Sequence, residues 1–144
     1  MTNSDAYDLR DFMPYLLNLA AETTSREFES YYKDRYGMLR TEWRVVFHLG
    51  RYGEMTAKEI CTRARIHKTK VSRAVAALEK KRFLIRSQHD TDRRQEDLKL
   101  TPTGASAFEH LYAAARRFDA DLMAQFSADE RVVLRRCLSK IADL

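Results

Sequence analysis

Two short amphipathic stretches in the middle of the chain, separated by a brief interruption, constrain the fold more than any other feature. Thr56 and Glu59 have the spacing of a capping box, in which each side chain accepts a hydrogen bond from the other residue's backbone amide. A helix therefore begins there, and it extends only to about Arg63 because residues 64–67 break its apolar period. A second apolar stripe follows, formed by Val71, Ala74, Val75 and Leu78. The pattern predicts two helices joined by a tight turn.

The chain has the size and composition of one compact domain. Its 144 residues are 44% hydrophobic, which is enough to bury a core. No run approaches the roughly 18 apolar residues of a membrane span, and an acidic start, with Asp5, Asp8 and Asp11, is unlike a secretion signal. Cys61 and Cys137 are too few for a disulfide scaffold, and we expect both thiols to pack in the core. These features favour a cytoplasmic protein without a membrane partner.

Positive charge is concentrated in the middle third of the sequence. Residues 56–104 contain 13 basic and 6 acidic side chains, whereas the rest of the chain contains 13 basic and 15 acidic ones. This asymmetry favours a polyanionic partner, nucleic acid first, because each neutralised phosphate releases condensed counterions. The alternative is an ordinary solvated basic face.

The second of the two central helices has a polar face opposite its apolar stripe. A helical wheel places Thr69, Arg73, Ala76 and Lys80 on that face, with Lys70 and Ser72 on its flanks. A DNA major groove about 12 Å wide admits such a helix, and an arginine can bind guanine through two hydrogen bonds. The alternative is an exposed helix face without a ligand.

A β-hairpin is predicted directly after these helices. Residues 83–85 are apolar and β-prone, and residues 98–101 alternate with period two, so that Leu98 and Leu100 should face the core. The tip between them spans residues 89–94, where Asp90 and Asp92 can shape the turn through backbone hydrogen bonds. Arg93 and Arg94 then project outward, where the negative potential of a narrow minor groove attracts arginine. The alternative is a solubilising loop.

A long amphipathic helix is predicted at the N-terminal end. Its apolar stripe comprises Leu9, Phe12, Met13, Leu16, Leu17, Ala20, Thr24, Phe28, Tyr31 and Tyr32. The helix should close near Gly37, and Pro14 either marks its first turn or kinks it. A second helix should carry Trp43, Val46, Phe47 and Leu49, and stop within residues 50–53.

Two more helices are predicted after the hairpin. Thr101 is a good N-cap with Pro102 in the first turn, and the stripe that follows comprises Ala105, Phe108, Leu111, Tyr112, Ala115, Phe118, Leu122 and Phe126. Residues 127–130 form another capping box, which starts a last helix with Val133, Leu134, Cys137, Leu138, Ile141 and Leu144 on one side. The terminal helices carry more apolar surface than a small central domain covers, so we expect a homodimer; the alternative is a self-contained bundle.

This order of elements resembles the MarR family of bacterial winged helix-turn-helix transcriptional regulators, over essentially the whole chain. The most specific similarity is "DTDRRQEDLKLTPTG", which is similar to the family's wing signature, and "TKVSRAVAALEKK" is similar to its recognition helix. The resemblance implies a mainly α fold with a small β-hairpin wing that dimerises through its terminal helices. It divides the chain into an N-terminal dimerisation helix (1–38), a DNA-binding lobe (39–101) and C-terminal dimerisation helices (102–144).

The resemblance also implies roles for individual residues. The groove contacts would be Lys68, Thr69, Lys70, Ser72 and Arg73. Arg94, beside Arg93, would enter the minor groove, and Asp92 would brace it. Members of the family bind pseudo-palindromic operators in double-stranded DNA as dimers, and many release DNA when a small aromatic or amphipathic effector binds between the two lobes. The implied function is a ligand-responsive repressor.

Two positions depart from the family pattern. Arg82 stands where the family usually has a glycine that closes the recognition helix, so the left-handed cap must be strained, shifted or absent. Leu39 stands where a threonine or serine commonly caps the second helix, so another group must supply that cap.

Several side chains are candidates for an effector pocket. Aromatic candidates are Tyr15, Trp43, Phe47, Tyr112 and Phe118, and Arg44 or His48, one helical turn apart, could meet a ligand carboxylate. Aromatic residues at helical spacing are also typical of a plain core, which is the alternative for each of them.

Enzymatic signatures are lacking in this sequence. Its four histidines do not have metal-ligand spacing, and neither a phosphate-binding glycine loop nor a nucleophile elbow is present, so we expect no catalytic residue, metal or cofactor. Two other binding functions compete with DNA recognition. Residues 50–53 have the GxxG spacing of an RNA-binding loop, and the basic face of a winged helix could dock an acidic protein.

Overall fold

The computed structural model describes residues 6–88, 91 and 94–144. Its helices are α1 (Met13–Tyr36), α2 (Arg40–Tyr52), α3 (Ala57–Ala64), α4 (Lys68–Lys80), α5 (Pro102–Met123) and α6 (Ala128–Ile141). Its strands are β1 (Met55–Thr56), β2 (Leu84–Gln88) and β3 (Glu96–Leu100), which form an antiparallel sheet in the order β1-β3-β2. The predicted class, mainly α with a small β-hairpin wing, is confirmed. Predictions for part of the hairpin tip lie outside the described residues, namely those for His89, Asp90, Asp92 and Arg93.

The first helix starts later than its apolar stripe predicted. Residues 9–11 form a separate 3₁₀ turn. The Asp8 carboxylate caps the start of this turn by accepting a hydrogen bond of 2.8 Å from the Arg10 amide. α1 begins at Met13 with Pro14 in its first turn, where the missing amide costs nothing. It ends as predicted at Gly37, which adopts φ +63° and donates its amide to the Lys33 carbonyl at 2.9 Å.

The two central helices and their turn are confirmed. Thr56 Oγ1 accepts the Glu59 amide at 3.2 Å, and the Glu59 carboxylate accepts the Thr56 amide at 3.1 Å. α3 ends one residue beyond the predicted Arg63. α4 is capped by His67, whose Nδ1 accepts a hydrogen bond from the Thr69 amide at 3.2 Å, a role that the sequence analysis did not identify.

The sheet contains a strand that the sequence analysis missed. β1 is only two residues long and pairs Met55 with Leu98, which places it beside β3 on the side opposite β2. A two-residue strand has no period to detect, so only the tertiary contact reveals it. As predicted, Leu98 is buried; Leu100 is half-buried and packs against the core.

Both departures from the family pattern have structural answers. Arg82 keeps the left-handed conformation at φ +64° despite its side chain, and the Phe83 amide donates to the Leu78 carbonyl at 2.9 Å, which completes a Schellman cap. Thr101 Oγ1 holds this turn by donating to the Arg82 carbonyl at 2.7 Å. At the start of α2, the Glu42 carboxylate accepts the Leu39 amide at 3.1 Å, which is one half of a capping box, whereas the Leu39 side chain has no oxygen to accept an amide of the first turn.

The core lies where α2 meets α4, α5 and the sheet. Its fully buried large side chains are Tyr32, Met38, Val45, Val46, Ile60, Val71, Val75, Leu78, Leu84, Leu98 and Leu111. Gly50 allows the close approach of α5, because a Cβ atom there would lie 2.2 Å from Phe108 Cγ. Helices α2 and α5 therefore pack with their axes close together, and α2 becomes the central element of the chain.

A buried ion pair joins three helices at one point. Glu42 on α2 is 2% exposed, and its Oε1 lies 2.6 Å from Nζ of Lys81, the residue that ends α4. The same ammonium donates to the carbonyl of Gly37, at the end of α1, at 2.6 Å. We call this arrangement the Lys81 clamp. It connects the end of α4 to the junction of α1 and α2.

The C-terminal helices differ from the prediction in their burial. α5 ends at Met123, so Phe126 lies beyond it, and Ala105 is exposed rather than part of the packed stripe. α6 has no buried residue, since the described elements cover its apolar side only in part, and Cys137 is exposed instead of packed in the core. Cys61 is half-buried. The end of α6 is tethered by Arg65, whose guanidinium donates to the carbonyls of Ala142 and Asp143.

We predict that Lys81→Met lowers the free energy of unfolding by about 1–3 kcal/mol, because it leaves the Glu42 carboxylate buried without its partner; the range is reduced since Lys81 is partly exposed. Urea denaturation followed by circular dichroism measures this change. Lys80→Met is the control, since Lys80 is exposed and makes no ion pair with the described residues. Adding Glu42→Gln to Lys81→Met should restore part of the loss. Equal stability of the two lysine variants would contradict the role of the clamp.

Candidate nucleic-acid interface

The outer face of α4 is exposed as the helical wheel predicted. Lys68, Thr69, Lys70, Ser72 and Arg73 all lie on the exposed side, while the apolar stripe of the same helix is buried. Helices α2 and α3 pack against that stripe. The five side chains are therefore presented together on a helix whose orientation is set by its buried face.

The described part of the chain does not neutralise the cations of this face. Among the described residues, Lys68, Lys70 and Arg73 form no ion pair and no side-chain hydrogen bond. By contrast, the neighbouring Lys81 pairs with Glu42, and Arg86 on β2 pairs with Glu79 at 3.2 Å. The charges on the outer face of α4 are thus available to an external anion, whereas those at its end hold the fold together.

A groove separates α4 from the wing strands. Its volume is about 640 Å³, and side chains from α3, α4 and the sheet line it, including Lys58, Cys61, Lys68, Ser72, Arg86 and Arg94. The structure brings the predicted residues Lys68, Ser72 and Arg94 together around this groove, whereas Asp92 and Arg93 lie outside the described residues. Lys58 and Arg86 were not singled out from the sequence. The capping box placed Lys58 at the start of a helix, but only the tertiary structure turns it toward the wing.

The side chain of Arg86 links the wing to α4 through an ion pair. The Arg86 guanidinium lies 3.2 Å from the Glu79 carboxylate on α4 and 3.4 Å from the Glu96 carboxylate on β3. Because the partners belong to two different elements, Arg86 fixes the angle between the hairpin and the helix. The exposed α4 face and the root of the wing therefore form one continuous surface.

A second cavity lies between α1, α2 and α5. It has a volume of about 250 Å³, and its walls include Phe28, Tyr32, Arg40, Trp43, Arg44 and Phe118. The rings form a cluster, with centroids 5.2 Å apart for Phe28 and Trp43 and 5.3 Å apart for Phe28 and Phe118. An aromatic cavity with two guanidinium groups at its wall suits a flat, acidic molecule.

Electrostatics at this cavity centre on Arg40. Its Nη1 donates to Glu22 Oε1 at 3.1 Å, and this contact lowers the pKa of the Glu22 carboxyl and raises the pKa of the Arg40 guanidinium. Burial raises the pKa of the Tyr32 hydroxyl, and the nearby Arg40 opposes that shift. All three groups therefore keep their ordinary protonation states at neutral pH, with one ion pair at the wall.

Only some of the predicted pocket residues line this cavity. Trp43, Arg44 and Phe118 line it. Phe47 packs against Phe108 and Tyr112, with ring centroids at 5.9 and 6.1 Å. His48 is close to the Arg44 carbonyl at 2.7 Å, and Tyr15 is half-buried in the first turn of α1. The sequence analysis missed Phe28 and Tyr32, which lie on α1 and share no period with α2, and it missed Arg40, which precedes Trp43 and Arg44 by one turn on α2 and could have been found from that spacing.

Neither a metal cluster nor a membrane helix is found in the described part of the chain. No group of three histidine, cysteine or acidic side chains is arranged there to hold a metal ion. None of the helices there combines the length and the apolar character that crossing a membrane requires.

Comparison with known proteins agrees with this geometry. A sequence model of the MarR family matches residues 36–95. YwaE, an uncharacterised HTH-type transcriptional regulator of Bacillus subtilis, is 29% identical over 108 residues, which make up 75% of this chain and 63% of YwaE. The chain thus spans less than two thirds of the length of that relative.

Solved structures share the fold along almost the whole chain. BpsR of Bordetella bronchiseptica, whose DNA binding is regulated by 6-hydroxynicotinic acid, superposes with a TM-score of 0.84 at 21% identity, covering 96% of this chain and 99% of BpsR. A mutant of MarR from E. coli complexed with operator DNA superposes with a TM-score of 0.83 at 20% identity, covering 94% of this chain and 99% of that protein. The match over the helix-turn-helix supports the assignment of this chain to the MarR family, and the solved structures show that the same fold extends along almost the whole chain.

Proposed function

We propose that this chain is a sequence-specific, double-stranded DNA-binding transcriptional regulator that acts as a homodimeric, ligand-responsive repressor. The observation that carries the proposal is the continuous surface formed by the outer face of α4 and the root of the wing. Its α4 cations Lys68, Lys70 and Arg73 form no ion pair with the described residues, and Arg94 lines the same groove as Lys68. Two protrusions on one side of a lobe match two adjacent grooves of a duplex.

In this proposal, α4 lies in the major groove. Arg73 reads a base edge because a guanidinium can form two hydrogen bonds to guanine, while Lys68 and Lys70 bind phosphates and Thr69 and Ser72 reach phosphates or bases. Arg94 follows the wing toward the minor groove, with Arg93 beside it and Asp92 bracing the tip. Residues 39–101 constitute the DNA-binding lobe.

We predict that Arg73→Ala relaxes base preference and costs roughly 1–3 kcal/mol on the preferred operator, whereas Arg94→Ala weakens binding more evenly across sequences. The operator is obtained by selecting bound duplexes from a random pool, and affinities are compared by fluorescence anisotropy on the operator and on a scrambled duplex. Arg116→Ala, an exposed arginine on α5, is the control. Equal affinity of Arg73→Ala and the parent for the operator would contradict the assignment, and preference for single-stranded RNA over duplex would replace the proposal.

The terminal helices support assembly as a homodimer. α6 has no buried residue, yet Val133, Leu138 and Ile141 are 45%, 42% and 58% exposed on it. At the other end of the chain, Leu9, Phe12 and Met13 are also exposed. Apolar surface of this extent on both terminal segments is typical of an interface between copies. Residues 1–38 and 102–144 would then form the dimerisation part, and paired lobes would place two α4 helices about 34–36 Å apart.

We predict that Leu138→Asp shifts the protein from dimer to monomer, because the new carboxylate would be buried in the interface without a partner. Sedimentation velocity over a range of concentrations measures the change. Ile85→Asp is the matched control, since Ile85 is an apolar side chain with 52% exposure on a wing strand, outside the terminal helices. If both variants sediment like the parent, dimerisation through α6 is wrong.

The cavity between α1, α2 and α5 is the proposed effector site. Its aromatic walls and arginines fit a small aromatic carboxylate, and the BpsR comparison gives a precedent for regulation by such an acid. The ligand would replace Glu22 as the partner of Arg40. Since Glu22 lies on α1 and Arg40 on α2, this exchange removes a bond between the two helices that meet beneath the DNA-binding lobe.

We predict that 6-hydroxynicotinate, salicylate or benzoate changes the fluorescence of Trp43, which is the single tryptophan of the chain and lies in the cavity wall. Arg40→Gln should raise the dissociation constant of the bound acid about tenfold, because a charged hydrogen bond is lost. Arg116→Gln, on the outside of α5, should leave it unchanged. If none of the three acids changes the fluorescence spectrum of Trp43, this cavity is not the effector site.

A further inference from the structure

We infer that Arg65 is a positioning residue for DNA recognition, because it bonds the end of α6 to the turn before α4 and so sets the separation of the two α4 helices in a dimer. The inference rests on the proposed function. Arg65 lies in the turn between α3 and α4, and its guanidinium donates to the carbonyls of Ala142 and Asp143, just beyond α6. We call this contact the Arg65 tether. It joins the DNA-binding lobe to a terminal helix.

The backbone is left-handed at both ends of the tether. Arg65 adopts φ +53° and Asp143 adopts φ +56°, in a region that residues with a Cβ atom rarely occupy. Within the described part of the chain, Arg82 at the root of the wing is the one other non-glycine residue with a positive φ. Glycine would adopt these angles without strain. An arginine at the end of α3 therefore serves a purpose that glycine cannot, and the observed contact with α6 supplies it.

The acceptors of the tether suit a cation. The last carbonyls of an α-helix lack partners within the helix and form the negative end of its dipole. Ala142 caps α6 by donating its amide to the Leu138 carbonyl at 2.9 Å, and its own carbonyl accepts from Nη1 of Arg65. Nη2 of the same guanidinium lies 3.4 Å from the Asp143 carbonyl oxygen. One planar guanidinium thus binds two successive carbonyls, which a single ammonium would match less well.

The lobe side of the tether is firmly held. The Arg65 amide donates to the Cys61 carbonyl, which closes α3, and Ile66 packs against the core. His67 follows directly and caps α4 by accepting the Thr69 amide at 3.2 Å. Arg65 is therefore connected to the first turn of α4 by a short segment that is fixed at both ends. A displacement of α6 is passed through this segment to the start of α4.

The other side of the tether belongs to the proposed dimerisation part. α6 carries the exposed apolar residues assigned to the interface between copies, and Arg135 on α6 pairs with Asp119 on α5 at 2.9 Å. A partner that fixes α6 in place therefore fixes the turn before α4 in each subunit. Two lobes held in this way present their α4 helices at one separation. We expect such a dimer to select operators whose half-sites have the matching spacing.

The first test measures hydrogen exchange by mass spectrometry without DNA, in segments 65–70 and 139–144. Arg65→Asn removes the guanidinium but tolerates the left-handed conformation. Asp143→Pro breaks the other end, because proline is held near φ −65°, and Asp143→Gly is the matched control that permits the turn. Each tether variant should speed exchange about threefold in the segment it does not contain, and Asp143→Gly should leave segment 65–70 unchanged. Unchanged exchange of 65–70 in Asp143→Pro would overturn the tether.

The second test measures spacing selectivity on DNA. One base pair is added between the half-sites of the selected operator, which moves one half-site by about 3.4 Å and rotates it by about a tenth of a turn. The parent and Asp143→Gly should lose affinity about tenfold, and Arg65→Asn and Asp143→Pro only about threefold. Because Asp143→Pro retains Arg65, loss of charge in the turn cannot explain its tolerance. Equal losses in the parent and both tether variants would overturn the positioning role.

A double variant tests whether the two substitutions break the same contact. Arg65→Asn combined with Asp143→Pro should tolerate the added base pair no better than either single variant, since one contact can be lost only once. Additive effects would contradict the inference.

The two tests distinguish failure of the inference from failure of the proposed function. If the parent binds no duplex but exchange changes across the tether as expected, the proposed function fails and the connection between α6 and α4 stands. If the parent selects one spacing and both tether variants select it equally well, the proposed function stands and the inference is overturned.

Discussion

The ion pair between Lys81 and Glu42 is the interaction on which the arrangement of this protein depends. Lys81 ends α4, Glu42 lies in the first turn of α2, and the same ammonium binds the carbonyl of Gly37 at the end of α1. A carboxylate with 2% exposure is tolerated only because this ammonium and the Leu39 amide satisfy it. The helix proposed to read DNA is thereby connected to the helix proposed to form the dimer.

The residues that follow Lys81 also determine the position of the wing. Lys81 is followed by Arg82, whose left-handed conformation turns the chain from α4 into β2, and Thr101 fixes that turn from the other end of the hairpin. Arg86 then ties the hairpin to Glu79 on α4. The angle between α4 and the wing is thus determined by bonds at both the root and the side of the hairpin. Three hydrogen bonds hold Arg82 in this strained conformation: the Arg82 amide donates to the Glu79 carbonyl, the Phe83 amide to the Leu78 carbonyl, and the Thr101 hydroxyl to the Arg82 carbonyl.

α2 connects the two proposed binding sites. Its first two turns carry Arg40, Trp43 and Arg44 on the side of the aromatic cavity and Glu42 on the side of the clamp. A shift of α2 relative to α1 would therefore move the cavity residues and Glu42 of the Lys81 clamp together. Arg40, Lys81 and Arg86 pair with carboxylates of other elements, whereas the cations of the α4 face have no acidic partner among the described residues.

Local sequence alone determined the helix starts and the surfaces of the two central helices. Capping boxes at Thr56 and Ser127 and the αL glycine at Gly37 act within one turn, and burial of one stripe of α4 necessarily exposes the other, so both could be predicted from spacing. Tertiary structure decided what depends on distant partners: the two-residue strand β1, the Glu22–Arg40 pair, the groove that brings Lys58 to Arg94, and the exposure of Cys137. These features depend on the packing of elements far apart in the chain. The apolar period of one element shows which side is buried, but it does not show which residues of another element that side contacts.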